Sequence, residues 1–189
     1  MYRILVWLLI LVTYTNVGVS ARTEDPNGTK RITHGVNGEG KLLEEVVSTI
    51  PASSRNQFHI NAGRNAPYNE SFEVALVKMN PMEEYVRVFK KSIDGNGNII
   101  SNKESYWFMR KKDIIKSDGS FLTPSEIRSK FALPEVPTHY TKIQPPLNTQ
   151  VYRGVAKKQV QQGWGNGGGM QFEFKQQPQS NWFVGEIGL

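Results

Sequence analysis

The residues with the clearest capacity for chemistry lie in one glycine-rich segment, residues 163–174, which reads GWGNGGGMQFEF. Glycines let a ligand approach the backbone closely because they carry no Cβ atom. Trp164 lies inside the run, and a large aromatic ring is unusual in a free linker. The following MQFEF alternates as a strand does, which puts Gln171 and Glu173 on one face and the apolar residues on the other. The segment therefore predicts either a flexible hairpin loop or a ligand site beside Gln171.

Residues 163–168 also fit the pattern G-x-G-x-x-G of dinucleotide-binding folds. That fingerprint follows a strand and opens a helix within a βαβ unit. Here an extended segment follows and no βαβ pattern surrounds it, so we interpret the match as accidental. The run also lacks the Gly-Lys-Ser/Thr ending of a P-loop. The sequence therefore predicts neither of these phosphate-binding loops.

Composition argues against several other kinds of site. The chain has no cysteine, which excludes a thiol nucleophile, and His34, His59 and His139 lack the spacing of metal ligands. We therefore expect no metal site. The net charge of +6 suits an anionic ligand, but the basic residues are scattered and the densest cluster, 110–112, is short. Nucleic-acid binding is not expected, because it usually requires a stronger basic stripe.

The N-terminal residues resemble a targeting segment. Residues 1–21 combine Arg3, a run of apolar residues and a small-residue end at Ala21, the pattern of a cleaved secretory signal. A membrane anchor is the alternative, but the apolar run, 4–12, is shorter than the roughly 20 residues that span a bilayer. We expect a secreted, extracellular protein with no membrane segment after cleavage.

The remaining chain predicts one domain at 41–189, preceded by a polar, flexible arm at 22–40. The sequons at Asn27 and Asn69 predict a glycoprotein if a eukaryote produces it. Without cysteine, the secreted domain must be stable through packing alone.

Hydrophobic periodicity predicts the elements that position the glycine-rich segment. Apolar residues at helical spacing predict a short helix at 40–50 that ends at Pro51, followed by an irregular stretch at 51–71. A second helix begins with the capping box 123–126 and ends before Pro134. Short strands are predicted at 72–79, 83–90, 98–101, 105–109, 149–155, 170–174 and 181–184. The expected fold class is α+β: a small, mostly antiparallel β-sheet domain with a few short helices nearer the N-terminal side.

Five ordered segments of the C-terminal half resemble a known family. They are KFALP at 130–134, PTH at 137–139, YRGVA at 152–156, QGWG at 162–165 and GGGMQF at 167–172. In order, spacing and the closing G-G-G-x-Q they resemble the tuberculosis-necrotizing-toxin (TNT) domain family of NAD(P) glycohydrolases. The weaker matches YVRVF at 85–89 and YW at 106–107 extend the similarity to about 83–189. Residues 22–80 resemble no family.

The resemblance implies hydrolysis of the nicotinamide–ribose bond of NAD or NADP, with the dinucleotide as substrate and no cofactor. Gln171 matches the family's catalytic glutamine, and Arg87 matches the arginine that holds the dinucleotide phosphates. Trp107 and Phe131 are candidates for packing against the ribose or nicotinamide. Further substrate-binding residues are expected at Lys130, Trp164, Gly167, Gly168, Gly169 and Glu173. Because the active enzyme would deplete its producer of NAD, the resemblance implies either strict export, which the signal peptide favours, or an inhibitor or immunity protein as a partner.

Two other functions stay open at this point. The triplet Gln171-Phe172-Glu173 is similar to the Q-x-E pair with which some ADP-ribosyltransferases activate NAD for transfer to a protein. No Ser-Thr-Ser strand motif precedes it, which disfavours transfer. The chain could also be a secreted binding module or an exported toxin of another kind, such as a nuclease, although no paired acidic or histidine motif supports the latter.

Overall fold

The computed structural model describes residues 44–189. The predicted signal peptide at 1–21, the flexible arm at 22–40 and the sequon at Asn27 lie outside the described residues. Within 44–189, no helix is both long and apolar enough to cross a membrane.

The described chain is built on an eight-stranded sheet whose pairings are all antiparallel, in the order β1-β2-β8-β9-β6-β3-β7-β10. Its strands are β1 (Glu45–Pro51), β2 (Glu73–Lys78), β3 (Tyr85–Phe89), β6 (Trp107–Arg110), β7 (His139–Ile143), β8 (Gln150–Val155), β9 (Met170–Phe174) and β10 (Phe183–Gly188). A separate hairpin joins β4 (Lys91–Ile93) to β5 (Ile99–Ser101), and the helices are α1 (Ala52–Asn61) and α2 (Pro124–Phe131). The α+β class with a mostly antiparallel sheet is confirmed.

Alternation along β9 divides the domain into two sides, as the sequence predicted. Phe172 and Phe174 pack into the largest apolar cluster, together with Phe108 and Trp182. The polar residues at 171 and 173 leave the strand on the opposite side, where two smaller clusters form around α2 and α1. The polar side of β9 therefore lies between the two helices.

The second predicted helix is confirmed with its start signals. The Thr123 hydroxyl accepts from the backbone N–H of Glu126, and the Glu126 carboxylate accepts from the N–H of Thr123 at 2.6 Å. This reciprocal pairing satisfies two backbone donors that the first turn leaves free. The helix ends at Phe131, and Ala132 adopts the left-handed conformation with φ of 48°.

The prediction for the N-terminal part of the domain was wrong. Residues 45–51 form β1, the edge strand paired with β2, and the helix occupies 52–61 within the stretch predicted to be irregular. The run VVSTI is rich in β-branched residues, which pack well on a pleated surface, and an edge position accommodates its polar members. Pro51 precedes α1 instead of ending a helix. This helix was missed because it buries the polar residues Asn56 and His59 in place of an apolar stripe.

Two C-terminal elements also differ from the prediction. β7 occupies 139–143, between Pro137 and Pro145, where no strand was predicted, and the predicted strand at 181–184 begins as a 3-10 helix, Ser180–Trp182, before β10. β7 contributes to the sheet by pairing with β3 and β10 on its two sides. Such pairing between distant segments compensates for a weak local pattern.

Candidate functional site

A cavity of about 460 Å³ opens on the polar side of β9. It brings together five of the ten site residues predicted from the sequence, namely Arg87, Trp107, Phe131, Trp164 and Gln171. The cavity lies where β3 and β6 separate, because these strands pair only at Tyr85–Arg110 and Val86–Met109. Arg87 directly follows Val86, the last residue of β3 that pairs with β6.

Gln171 is held at the wall of this cavity by β9. In the sheet, Gln171 pairs with Gly154 of β8, and its side-chain Nε2 donates a hydrogen bond to the carbonyl of Pro67 at 3.0 Å. The side chain is buried, with an exposed fraction of 8%. Because the protein engages the amide donor, the acceptor Oε1 is the group left for a ligand. That oxygen can accept from a hydroxyl without bringing a charge into the cavity.

Arg87 places an uncompensated positive charge at the cavity. Its guanidinium is buried, Nε has no hydrogen-bond partner, and Nη2 reaches only the carbonyl of Asn102 at 3.5 Å. Within the described residues no carboxylate pairs with it, and burial lowers its pKa to about 10. A buried cation without a counter-ion is unfavourable by itself. A bound anion would supply the missing partner, and a guanidinium fork suits phosphate oxygens.

Aromatic rings form much of the remaining wall. Trp107, on β6, lies 5.5 Å from the ring of His59 and 5.7 Å from that of Tyr68, measured between centroids. Phe131, the last residue of α2, is almost fully buried, and Trp164 is half-buried. These rings exclude water from one side of the cavity and offer flat surfaces to a planar ligand group.

The glycine run has a different role from the one expected. Gly167, Gly168 and Gly169 do not line the cavity. Instead, the N–H groups of Gly167 and Gly169 donate to carbonyls at the end of α2, Ser129 and Lys130.

Steric crowding explains why glycine is needed there. A Cβ at Gly169 would lie 2.7 Å from the ring of Phe131, and one at Gly167 would lie 2.5 Å from the carbonyl of Ala156. Gly168 faces open space, with φ of +91°. The run therefore lets the chain pack against α2 and fix Phe131, and it does not open space for a ligand.

Lys130 likewise points away from the cavity. Its ammonium donates to the carbonyl of Asp113 at 2.6 Å, and the side chain does not line the wall. The lysine therefore ties α2 to the 3-10 turn Lys111–Ile114. Adjacent positions at the end of a helix point in different directions, which is why only Phe131 of this pair reaches the cavity.

Glu173 also lies outside the cavity wall, although it leaves β9 on the same side as Gln171. Its carboxylate is 2% exposed and accepts hydrogen bonds from Arg55 at 2.6 and 3.0 Å and from the hydroxyl of Tyr68 at 3.0 Å. His59 Nε2 lies 3.3 Å from the same carboxylate. Burial alone would raise the pKa of Glu173, but the hydrogen bonds from His59 and Arg55 outweigh it and hold this pKa below its usual range.

Several cavity residues were not found from the sequence. They include His59 in the last turn of α1 and Gly63, Arg64, Asn65 and Pro67 in the segment after it. Lys157 and Gln159, after β8, also line the cavity. No motif marks these residues, because they are brought to the site by the assembly of the sheet and not by a local pattern.

The ionisable side chains of the cavity wall are all basic in the described part of the chain. Its ionisable side chains in the described part of the chain are Arg64, Arg87, Lys157 and His59, with no carboxylate among them. Residues 44–189 also contain no group of three His, Cys, Asp or Glu side chains placed to hold a metal ion. The cavity thus combines basic groups, aromatic surface and one neutral amide acceptor, which suits an anionic ligand that carries a planar ring and hydroxyl groups.

Comparison with known proteins finds no protein-family model, no curated protein and no solved structure that matches this chain.

Proposed function

We propose that this protein is a secreted glycohydrolase that cleaves the nicotinamide–ribose bond of NAD or NADP. One observation carries the proposal: Arg87 and Gln171, the two residues that the motif resemblance assigned to phosphate binding and catalysis, line the same cavity from strands that are not neighbours in the sheet. The resemblance is based on sequence motifs alone, so the meeting of these two side chains in one cavity is an independent observation. Secretion rests on the pattern of residues 1–21.

The residue types fit the chemistry of this cleavage. Nicotinamide leaves from a cationic ring as a neutral molecule, so a strong general acid of the kind that ordinary glycosidases use is unnecessary. The reaction instead requires that the dinucleotide be held correctly and that the oxocarbenium-like ribose be stabilised. Water then adds to the anomeric carbon and loses a proton, which gives ADP-ribose.

Each of the main side chains has a role in this scheme. Arg87 would bind the pyrophosphate, and the Gln171 acceptor would hold a ribose hydroxyl close to the breaking bond. Trp107, Phe131 and Trp164 would pack around the nicotinamide and ribose and limit the access of bulk water. A neighbouring groove of about 460 Å³ shares the lining residues Asn65, Lys157 and Gln159 with the cavity, and it would hold the adenosine half.

The position of Glu173 favours hydrolysis over transfer to a protein. A transferase that relied on the Q-x-E pair would need this carboxylate beside the bound NAD. Here the carboxylate is buried and occupied by hydrogen bonds from Arg55, Tyr68 and His59. Hydrolysis needs no contribution from it to the reacting atoms.

The test is the release of free nicotinamide from NAD by the purified protein. The Gln171→Ala variant is expected to lose roughly 100-fold or more in kcat/KM, because it removes a preorganised polar contact made as charge develops. The control is Gln176→Ala, which changes an exposed glutamine two residues beyond β9 and should leave the rate unaltered.

Three results would contradict the proposal or redirect it. Absence of turnover by the wild-type protein, or turnover that Gln171→Ala does not change, would refute it. Transfer of labelled ADP-ribose to added proteins, abolished by Glu173→Gln, would favour the transferase. Binding of NAD with no turnover would favour a secreted binding module.

A further inference from the structure

Helix α1 supplies a wall residue to the cavity from outside the part of the chain that resembles the TNT family. The resemblance covers about 83–189, whereas His59 comes from the last turn of α1 and lines the cavity beside Trp107. Nothing in the motif pattern assigns a role to this histidine. Its surroundings do.

The imidazole of His59 is oriented by a buried carboxylate. Nε2 lies 3.3 Å from Glu173, whose remaining acceptor positions are taken by Arg55 and Tyr68. Glu173 is therefore ionised and accepts a hydrogen bond from the N–H group at Nε2 of His59. A carboxylate in this position fixes which ring nitrogen carries the proton and which way the ring faces.

The same contact determines what His59 can offer to a ligand. With the proton on Nε2, the neutral ring presents Nδ1 as a hydrogen-bond acceptor. None of the hydrogen bonds among the described residues involves Nδ1, and His59, whose side chain is 1% exposed, borders the cavity. A hydrogen-bond donor on the bound substrate would give this acceptor a partner.

Arg55 and Tyr68 secure this arrangement from the side away from the cavity. Arg55 pairs with both carboxylate oxygens of Glu173, and its guanidinium also lies 4.2 Å from the ring centroid of Tyr152. Neither Arg55 nor Tyr68 lines the cavity. Their hydrogen bonds can therefore affect a ligand only through Glu173 and His59.

We propose that His59 accepts a hydrogen bond from the bound dinucleotide through Nδ1, and that Glu173, Arg55 and Tyr68 position it for this contact. The donor on the substrate is a ribose hydroxyl. This inference rests on the proposed function. It gives Glu173 a positioning role, in place of a role at the reacting atoms.

Two substitutions of His59 separate substrate contact from a purely structural role. His59→Gln retains an amide donor near the position of Nε2, facing Glu173, but removes the acceptor at Nδ1. His59→Asn retains a polar group near Nδ1 but loses the contact with Glu173. If His59 contacts substrate, His59→Gln should keep the wild-type unfolding temperature within a few degrees and lose roughly tenfold in kcat/KM, the effect of one lost hydrogen bond. His59→Asn should be the less stable of the two.

A tyrosine pair tests the positioning role without altering the cavity wall. Tyr68→Phe removes one donor to Glu173, whereas Tyr85→Phe removes a buried tyrosine hydroxyl that belongs to the cluster on the opposite side of the sheet. We expect Tyr68→Phe to lower kcat/KM several-fold and Tyr85→Phe to leave it unchanged. In the ¹⁵N NMR spectrum, the imidazole of His59 should carry its proton on Nε2, and the Nδ1 signal should shift when ADP-ribose is added.

The outcomes distinguish this inference from the function on which it rests. If the wild-type protein releases no nicotinamide, the proposed function fails and this inference fails with it. If the wild-type protein is active and folded His59→Gln has the wild-type kcat and KM, only the substrate contact of His59 is overturned. If His59→Gln does not fold, an unchanged rate in Tyr68→Phe together with an Nδ1 signal that ADP-ribose does not shift overturns it.

Discussion

Replacement of Arg87 should make the protein more stable while removing its affinity for the substrate. Among the described residues the buried guanidinium has no counter-ion, and burial lowers its pKa from the ordinary range of arginine to about 10. At about 1.4 kcal/mol per pH unit, this corresponds to a desolvation cost on the order of 3 kcal/mol. Methionine has a similar unbranched stem and no charge, so Arg87→Met should recover part of that cost.

The expected gain is smaller than the full desolvation cost. The substitution also loses the long contact to the carbonyl of Asn102, and such a hydrogen bond contributes about 1 kcal/mol or less. We therefore expect the free energy of unfolding to rise by about 1–2 kcal/mol and Tm by about 3–6 °C. The sign follows from a folded pKa that lies below the unfolded one: the cost is fully present below about pH 10 and diminishes as the pH rises through that value.

The assay is urea and thermal unfolding at pH 7, with and without ADP-ribose. Ligand at 100 times its Kd should stabilise the wild-type protein by about 2.7 kcal/mol and should stabilise Arg87→Met much less. Arg110→Met is the matched control, because Arg110 lies outside the cavity and pairs with Asp113 through two hydrogen bonds. That variant should lose stability and keep its response to ADP-ribose. The reasoning is refuted if Arg87→Met is less stable than the wild type by more than about 1 kcal/mol, or if ADP-ribose stabilises it normally.

Three further variants test the framework around the cavity. Glu173→Gln should lower the free energy of unfolding by about 2–4 kcal/mol at pH 7. Because the folded pKa of Glu173 is lowered, this difference from the wild type should shrink as the pH falls below about 4.5. A difference that is constant with pH in urea titrations would contradict this. Gly169→Ala should lower the free energy of unfolding by about 1–3 kcal/mol and reduce nicotinamide release, because the added Cβ displaces Phe131. The control Gly163→Ala has open space for its Cβ, so it should lower the free energy of unfolding by only about 1 kcal/mol through backbone strain and leave the rate unchanged. Equal effects of the two variants in both assays would argue against the packing role. Thr123→Ala should cost about 1 kcal/mol by removing the cap of α2, and an unchanged Tm would show that this cap is dispensable.

Local signals explain which parts of the fold were predictable. The start of α2 follows from the capping box at 123–126, and the two faces of β9 follow from strict alternation in MQFEF. Both signals act over a few residues and need no partner elsewhere in the chain. Residues 45–51 were mispredicted because their pattern fits either a helix or a strand, and pairing of β1 with β2 determines which forms.

The candidate site shows the same division. Gln171 and Arg87 could be selected from the sequence because each lies in a segment that resembles the TNT family. The other residues of the cavity wall, and the absence of a counter-ion near Arg87 in the described residues, could not be predicted from the sequence. The unpaired state of Arg87 depends on where β3 and β6 separate, and the lining residues His59 and Arg64 arrive from a segment without any recognisable pattern.

The glycine-rich segment illustrates what each level decides. By itself the sequence determined that Gln171 leaves β9 on the polar side and that glycines precede it, because strand alternation is a property of the backbone alone. Only the tertiary structure decided that these glycines make room for the end of α2, and that Glu173 pairs with Arg55, 118 residues earlier in the chain. Contacts of that range depend on how the sheet is assembled, and no spacing within a short motif encodes them.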